Sequence, residues 1–132
     1  MEITVSFPGN MRAIATVGEV TIETDQSVAN GGEGTAPEPF DLFLASIATC
    51  AGSYALSFMK ARDIDAEGSR IVMTVERDED TRVVTELGLT LHLPQGFPEK
   101  YRRAVRRAMD KCTVKRCLLE PPTISVETAA HA

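Results

Sequence analysis

The stretch from Leu42 to Met59, which carries no formal charge, constrains this chain most. Its length raises the hypothesis of a membrane-spanning helix. Serine, threonine, glycine and tyrosine residues interrupt its apolar character, and Asp41 and Lys60 bound it closely. A central helix of a globular protein, buried on most faces, is therefore the stronger prediction.

The sequence also indicates where this helix begins and which faces it presents. Pro39 suits the first helical turn and Asp41 favours the positive N-terminal end, so a helix is predicted from Pro39 to about Arg62. One face is a stripe of small residues that lets another backbone approach closely: Ala48, Gly52 and Ala55. A second face carries larger side chains: Phe43, Ile47, Cys50 and Tyr54. Cys50 is therefore expected inside a packed site.

The rest of the chain alternates strand and helix patterns. The patterning predicts strands over residues 2–7, 11–17, 19–24, 69–77, 82–93 and 123–127. A second helix is predicted to begin at Pro98, and a shorter helical segment is predicted to end at Pro121-Pro122. The predicted organisation is one α+β domain over residues 1–132. The glycine-rich loop 25–38 lacks the strand-to-helix setting of a phosphate site and is interpreted as a flexible lid or connector.

Composition limits the function classes. The chain has a net charge of −5, and this acidic balance argues against nucleic acid as the main partner. The arginines of the second helix are interpreted as a solvated face. No signal peptide is recognised at the N-terminus, and three cysteines do not suggest a secreted disulfide framework. A cytoplasmic protein is expected.

Two cysteines are the strongest candidates for chemistry. Cys112 ends an inward-facing helical stripe that includes Tyr101 and Val105, so both Cys112 and Cys50 are expected to face the interior. Cys112 also lies at a helix junction, where the backbone amides of the next two residues are expected to stabilise a thiolate. The alternative is that each cysteine is a small buried hydrophobic residue. The residues alone leave both interpretations open.

The sequence contains no complete metal site. Cys112 and Cys117 form a Cys-x4-Cys half-site without a second pair of ligands. The two histidines, His92 and His131, lie outside any ligand spacing. No metal or organic cofactor is expected, and Cys117 is predicted to belong to the core.

Two cysteine motifs together resemble the OsmC/Ohr family, the osmotically inducible protein C and organic hydroperoxide resistance proteins. Residues 39–50, which read PFDLFLASIATC, are similar to the cysteine helix of that family. Residues 112–114, Cys-Thr-Val, are similar to its second cysteine motif, in which proline usually follows the cysteine. The order of the elements also fits, so the resemblance covers nearly the whole chain and points to an OsmC-like branch.

The resemblance implies a fold, an activity and partners. The implied fold is α+β, with antiparallel sheets packed around the long cysteine-bearing helix in an intertwined homodimer. The implied activity is reduction of organic hydroperoxides by Cys50, after which Cys112 resolves the sulfenic acid as an intrachain disulfide. A lipoyl-bearing protein or another dithiol restores the two thiols. Neither nucleic acid nor a membrane is an expected partner.

Further residues receive roles in the expected chemistry. Arg12 is either a surface arginine or a cation that stabilises the thiolate, and Asp41 is expected to orient it. The family's active peroxidases carry a glutamate directly after the helix-opening proline, and Phe40 takes that position here. Three aromatic residues are expected to line an apolar substrate pocket: Phe40, Phe43 and Phe58. Two alternatives stay open, namely a small-molecule-binding protein with structural cysteines and a different thiol enzyme acting on persulfides or disulfides.

Overall fold

The computed structural model describes residues 1–130 and combines antiparallel strands with one long helix. The predicted α+β class is therefore confirmed. The chain divides into two compact units, Met1–Ser46 and Ile47–Ala132, and the boundary falls inside the long helix.

The first unit contains a three-stranded antiparallel sheet in the order β1-β2-β3. Its strands are β1 (Ile3–Gly9), β2 (Arg12–Val17) and β3 (Val20–Thr24), close to the predicted bounds. A two-residue turn joins β2 to β3, and its first residue, Gly18, adopts a φ of 61° that favours glycine. Large apolar side chains of this unit stay exposed: Ile3, Val5, Phe7, Met11, Val20 and Ile22.

The loop 25–38 is built around a buried carboxylate. Asp25 is fully buried, and its side chain accepts hydrogen bonds from the backbone N–H and hydroxyl of Thr35 (3.0 and 2.6 Å) and from the N–H of Gln26 (2.7 Å). The hydrogen bonds from Thr35, before all others, lower the pKa of Asp25 to about 2. Gly32 packs so closely that a Cβ atom there would lie 2.1 Å from the carbonyl oxygen of Gln26. The loop predicted as a flexible lid or connector is therefore fixed by its own hydrogen bonds.

Helix α1 runs from Pro39 to Lys60, close to the predicted span. The carboxylate of Asp41 accepts a hydrogen bond from the backbone N–H of Glu38 at 3.2 Å and so stabilises the first turn of the helix. The buried residues recur every four positions on one stripe: Ile47, Ala51, Ala55 and Met59. The expectation of burial on most faces is wrong for one copy of the chain, because only 22% of the most apolar stretch is buried. Within residues 1–130, α1 alone is long and apolar enough to cross a membrane, by length and composition only.

The second unit adds a β-hairpin and two short helices to the C-terminal part of α1. Strands β4 (Arg70–Arg77) and β5 (Val84–His92) pair antiparallel, as the predicted hairpin requires. Helices α2 (Arg102–Met109) and α3 (Thr113–Leu119) follow. The centre of the core is fully buried and consists of Ala55, Met59 and Val105.

The segment after α3 differs from the prediction. Residues 121–130 are irregular, so the strand predicted over residues 123–127 is wrong for one copy of the chain. Its side chains Ile124 and Val126 are 83% and 90% exposed. A strand needs a neighbour that satisfies its backbone hydrogen bonds, and residues 1–130 supply none to this segment.

Candidate active site

Helices α1 and α3 bring two of the predicted site residues together. Cys50 is half-buried on α1, and Cys112 is 1% exposed at the N-cap of α3. The Cys112 sulfur accepts the backbone N–H of Lys115 at 3.5 Å, which is how the side chain caps the helix. A hydrogen bond between the two thiols shifts the pKa of each, and the Cys112 sulfur also lies 4.0 Å from the carbonyl oxygen of Ile47, a second acceptor for its proton. Neither is joined in a disulfide.

The surroundings of Cys50 favour its thiolate form. The backbone N–H of Val114 donates to its sulfur and is the largest cause of a lowered pKa for Cys50. The side chain of Cys112 lowers that pKa further, burial opposes both effects, and the backbone N–H of Thr113 makes the smallest contribution. Hydrogen bonds to the charged form stabilise a thiolate without any nearby cation. Cys50 is therefore the more acidic of the two thiols.

Cys112 has the opposite character. Burial raises the pKa of Cys112 above its ordinary value, and the neighbouring Cys50 raises it further. Cys112 thus stays a neutral thiol and can donate its proton in a hydrogen bond to Cys50. The amides at the start of α3 were expected to stabilise a Cys112 thiolate. The N–H of Val114 does lower the pKa of Cys112, but burial outweighs it, so the net shift is upward and no Cys112 thiolate is favoured.

A tyrosine outside the predicted site completes this arrangement. The hydroxyl of Tyr54 shares a hydrogen bond of 3.1 Å with the hydroxyl of Thr113. Tyr54 follows Cys50 by four residues and therefore lies on the same helical face, one turn later. The sequence placed it on that face, but no pattern in it indicated the partner 59 residues away.

An apolar cavity of about 540 Å³ lies in the second unit, and Cys112 forms part of its wall. Aliphatic side chains of α1, β5 and α2 make up most of the lining: Ile47, Leu87, Leu89, Leu91, Val105 and Met109. Charged groups also line it: Arg102, Arg106, Asp110 and Lys115. A cavity of this size and lining suits a small apolar molecule.

The remaining predicted site residues of the first unit lie on β2 and at the start of α1. Arg12 forms an ion pair with Glu23 at 3.5 Å. Its buried Nε atom has no hydrogen-bond partner among the described residues. Phe40 and Phe43 contact each other with ring centroids 5.4 Å apart, and Asp41 is exposed in the first helical turn. The catalytic and substrate-binding roles of these residues stay predictions.

The contacts of Phe58 are with the core and with neighbouring side chains on its own surface. It packs against the core and makes an edge-to-face contact with Tyr101 at 5.9 Å, while the guanidinium of Arg62 lies 3.6 Å from its ring centroid. It is not among the residues that line the cavity beside Cys112. Its role in a substrate pocket stays a prediction.

The third cysteine lies apart from this site. Cys117 is exposed on α3, so its predicted place in the core is wrong. In the described part of the chain, no three histidine, cysteine or acidic side chains cluster as metal ligands. His131 lies outside the described residues.

Comparison with known protein families shows to which family this chain belongs. The family model described as OsmC-like protein matches residues 32–127, a span that includes both cysteines and all of α1. The chain belongs to the OsmC-like family. The resemblance of the two cysteine motifs is thereby confirmed. No curated protein matches this OsmC-like chain.

Solved structures support the same fold for this OsmC-like protein. A protein of Psychrobacter arcticus, named for osmotic stress induction and a detoxification response, is 26% identical with a TM-score of 0.74, and the match covers 86% of this chain and 85% of that one. The organic hydroperoxide resistance protein OsmC of Legionella pneumophila is 22% identical with a TM-score of 0.59, covering 89% and 87%. The organic hydroperoxide resistance protein OhrB of Bacillus subtilis is 22% identical with a TM-score of 0.53, covering 89% and 90%.

Proposed function

We propose that this OsmC-like protein reduces organic hydroperoxides with Cys50 as the nucleophile and Cys112 as the resolving thiol, as part of a stress defence. The observation that carries the proposal is the opposite tuning of the two thiols. The pKa of Cys50 is lowered, first by the N–H of Val114, whereas burial raises that of Cys112. A thiolate is the form that attacks a peroxide, and a neutral thiol beside it is ready for the second step.

In the first step the Cys50 thiolate attacks the distal oxygen of the hydroperoxide. An S–O bond forms and the O–O bond breaks, so the sulfur is oxidised by two electrons. The leaving alkoxide takes up a proton and departs as an alcohol. The amides that lower the pKa of Cys50 increase the share of the reactive thiolate at the point of attack.

In the second step the sulfur of Cys112 attacks the sulfenic acid on Cys50. An S–S bond forms, the S–O bond breaks, and the hydroxyl leaves as water with the proton from the Cys112 thiol. The two side chains are close enough to shift each other's pKa, which supports a direct reaction between them. A dithiol, such as that of a lipoyl-bearing protein, then reduces the disulfide and returns both thiols.

The cavity supports an apolar substrate rather than hydrogen peroxide. Its volume is about 540 Å³ and its wall is mainly aliphatic, with Cys112 on one side. Hydrogen peroxide gains nothing from apolar contacts, whereas an organic hydroperoxide buries its carbon skeleton. Cys112 lines this cavity and Cys50 does not, so the proposed preference for organic hydroperoxides requires that the substrate reach the Cys50 sulfur from the side of Cys112.

The proposal includes a homodimer in the cytoplasm. Apolar side chains that stay exposed in one copy support it, including Ile3, Phe7 and Leu56 at 56%, 80% and 54% exposure. The irregular segment 121–130 also leaves the apolar residues Ile124 and Val126 exposed. Light scattering at micromolar concentration is expected to give twice the chain mass of 14.3 kDa, and a monomer would remove this part of the proposal.

The function is tested by turnover with a dithiol reductant and cumene hydroperoxide. The wild type and Cys117→Ser are expected to turn over equally, because Cys117 is exposed and lies outside the pair. Cys50→Ser is expected to lose all turnover. Cys112→Ser is expected to lose sustained turnover while its Cys50 still reacts once. Equal turnover by the wild type and Cys50→Ser would contradict the proposal.

The cavity also favours a second candidate function, the binding of a small apolar molecule with the cysteines as structural residues. Buried Cys112 fits that alternative, since its sulfur caps α3 and its S–H can donate to the carbonyl oxygen of Ile47 at 4.0 Å. The two functions differ in the titration of Cys50. A Cys50 that titrates at the ordinary pKa of a cysteine and ignores hydroperoxide would favour binding.

A further inference from the structure

We propose that Tyr54 is a positioning residue, whose hydrogen bond to Thr113 holds the first turn of α3 against Cys50 so that the backbone amides of that turn point at the Cys50 sulfur. The inference deepens the proposed function, on which it rests for the role of Cys50. Tyr54 contacts neither substrate nor the reacting sulfur in this account. It acts through Thr113.

The first turn of α3 is held mainly by contacts outside the helix: Cys112 lies 4.0 Å from the carbonyl oxygen of Ile47, Lys115 pairs with Asp110 at 2.7 Å, and Tyr54 bonds to Thr113. Helix α3 has seven residues, which is too short for stability without tertiary contacts. Its N-cap is Cys112, whose sulfur accepts the N–H of Lys115 at 3.5 Å, a weaker acceptor than the oxygen of serine or aspartate. The bond from Tyr54 on α1 to Thr113, the first residue of α3, supplies a tertiary contact at the position where it is needed.

Thr113 is also the position where the related motif usually has proline. Proline at the first helical position fixes φ but has no N–H group. Thr113 lacks that restraint but keeps its backbone N–H, which lowers the pKa of Cys50, though less than the N–H of Val114 does. Thr113 thus offers the Cys50 sulfur a second backbone amide. Its hydroxyl, and not a proline ring, restrains the residue. Tyr54 is the partner of that hydroxyl.

A purely structural hydrogen bond and a positioning one differ in what their removal changes. Loss of a structural bond lowers the free energy of unfolding and leaves the titration of Cys50 as it was. Loss of a positioning bond lets the amides of Thr113 and Val114 move away from the sulfur, so the Cys50 thiolate loses its donors. The pH dependence of Cys50 alkylation therefore separates the two roles.

The experiment measures iodoacetamide alkylation of Cys50 against pH, with peptide mapping, in a Cys117→Ser background. Tyr54→Phe keeps the ring and removes the hydroxyl. It is expected to shift the alkylation profile to higher pH and to slow alkylation at pH 7 roughly fivefold. Tyr101→Phe is the matched control, because it removes the hydroxyl of the only other tyrosine, whose ring packs on Phe58. Its profile is expected to stay that of the wild type.

Variants of Thr113 complete the test. Thr113→Val is expected to shift the profile as Tyr54→Phe does, Thr113→Ser to restore most of that loss, and the Tyr54→Phe/Thr113→Val pair to add nothing further. An unchanged profile in Tyr54→Phe, or additive effects in the pair, would overturn the proposal. Alkylation needs no hydroperoxide, so an enzyme that titrates as expected but reduces no hydroperoxide would refute the proposed function and leave this inference standing.

Discussion

Replacing Cys112 by alanine tests the structural cause of the reactivity of Cys50. The Cys112 thiol donates to the Cys50 sulfur and is the second cause of the lowered pKa of Cys50, after the N–H of Val114. Cys112→Ala removes that donor and keeps the backbone amides. The thiolate of Cys50 is therefore expected to become less populated at pH 7, and Cys50 is expected to react more slowly.

The size of the effect follows from the hydrogen bond that is lost. A hydrogen bond to a charged group contributes about 1.5–3 kcal/mol. Cys50 is half-buried, and solvent screens part of that energy. A loss of about 1 kcal/mol corresponds to roughly fivefold slower alkylation at pH 7, which exceeds the error of a rate measurement.

The assay compares alkylation rates of Cys50 in a Cys117→Ser background. Cys112→Ser is the matched control, because a hydroxyl still donates to Cys50 and still caps α3 by accepting the N–H of Lys115. Its Cys50 is expected to react faster than that of Cys112→Ala. Equal or faster alkylation in Cys112→Ala than in the wild type would refute the assigned donor.

Three further predictions concern the loop, the helix and the thiol pair. Asp25→Asn is expected to be less stable to urea than the wild type at pH 7. The pKa of Asp25 is lowered from 3.8 to about 2 in the folded state. The greater stability of the wild type to urea is therefore lost as the pH falls from 3.8 towards 2. Gly32→Ala is expected to unfold at a lower urea concentration than the wild type, because its added Cβ would lie 2.1 Å from a backbone oxygen. Gly52→Ala is the control: its Cβ meets only a side-chain methyl at 3.5 Å, and the higher helix propensity of alanine stabilises the fold by about 1 kcal/mol. Peptide mapping after mild hydroperoxide treatment is expected to find Cys50 bonded to Cys112 and the third cysteine reduced; a bond from Cys112 to that third cysteine would count against the pairing.

Much of the fold could be predicted because local patterns determine it. The helix predicted from Pro39 to about Arg62 ends at Lys60, since proline and the aspartate two residues later define its start and the uncharged stretch defines its length. The hairpin of β4 and β5 also followed from alternation along each strand. The failure at residues 123–127 has a non-local cause, because a strand pattern gives no partner for its backbone.

The sequence predicted which thiols form the site, but it did not predict how their surroundings shift their pKa values. Spacing placed Cys50 and Cys112 on inward faces, and the structure brings them together. The direction of the amides at the start of α3 depends on how that helix packs against α1, which no local pattern records. The bond from Tyr54 to Thr113 spans 59 residues for the same reason.

The most direct test of the account is a single-turnover measurement of Cys50 oxidation. Because the chain has no tryptophan to report the reaction, rapid mixing is followed by quenching and titration of the remaining thiols. The account predicts that cumene hydroperoxide oxidises the wild type faster than hydrogen peroxide does, with two thiols lost for each hydroperoxide consumed, and that Cys50→Ser loses none. Thiol loss at the same rate in Cys50→Ser, or a wild type that reacts with neither peroxide, would contradict it.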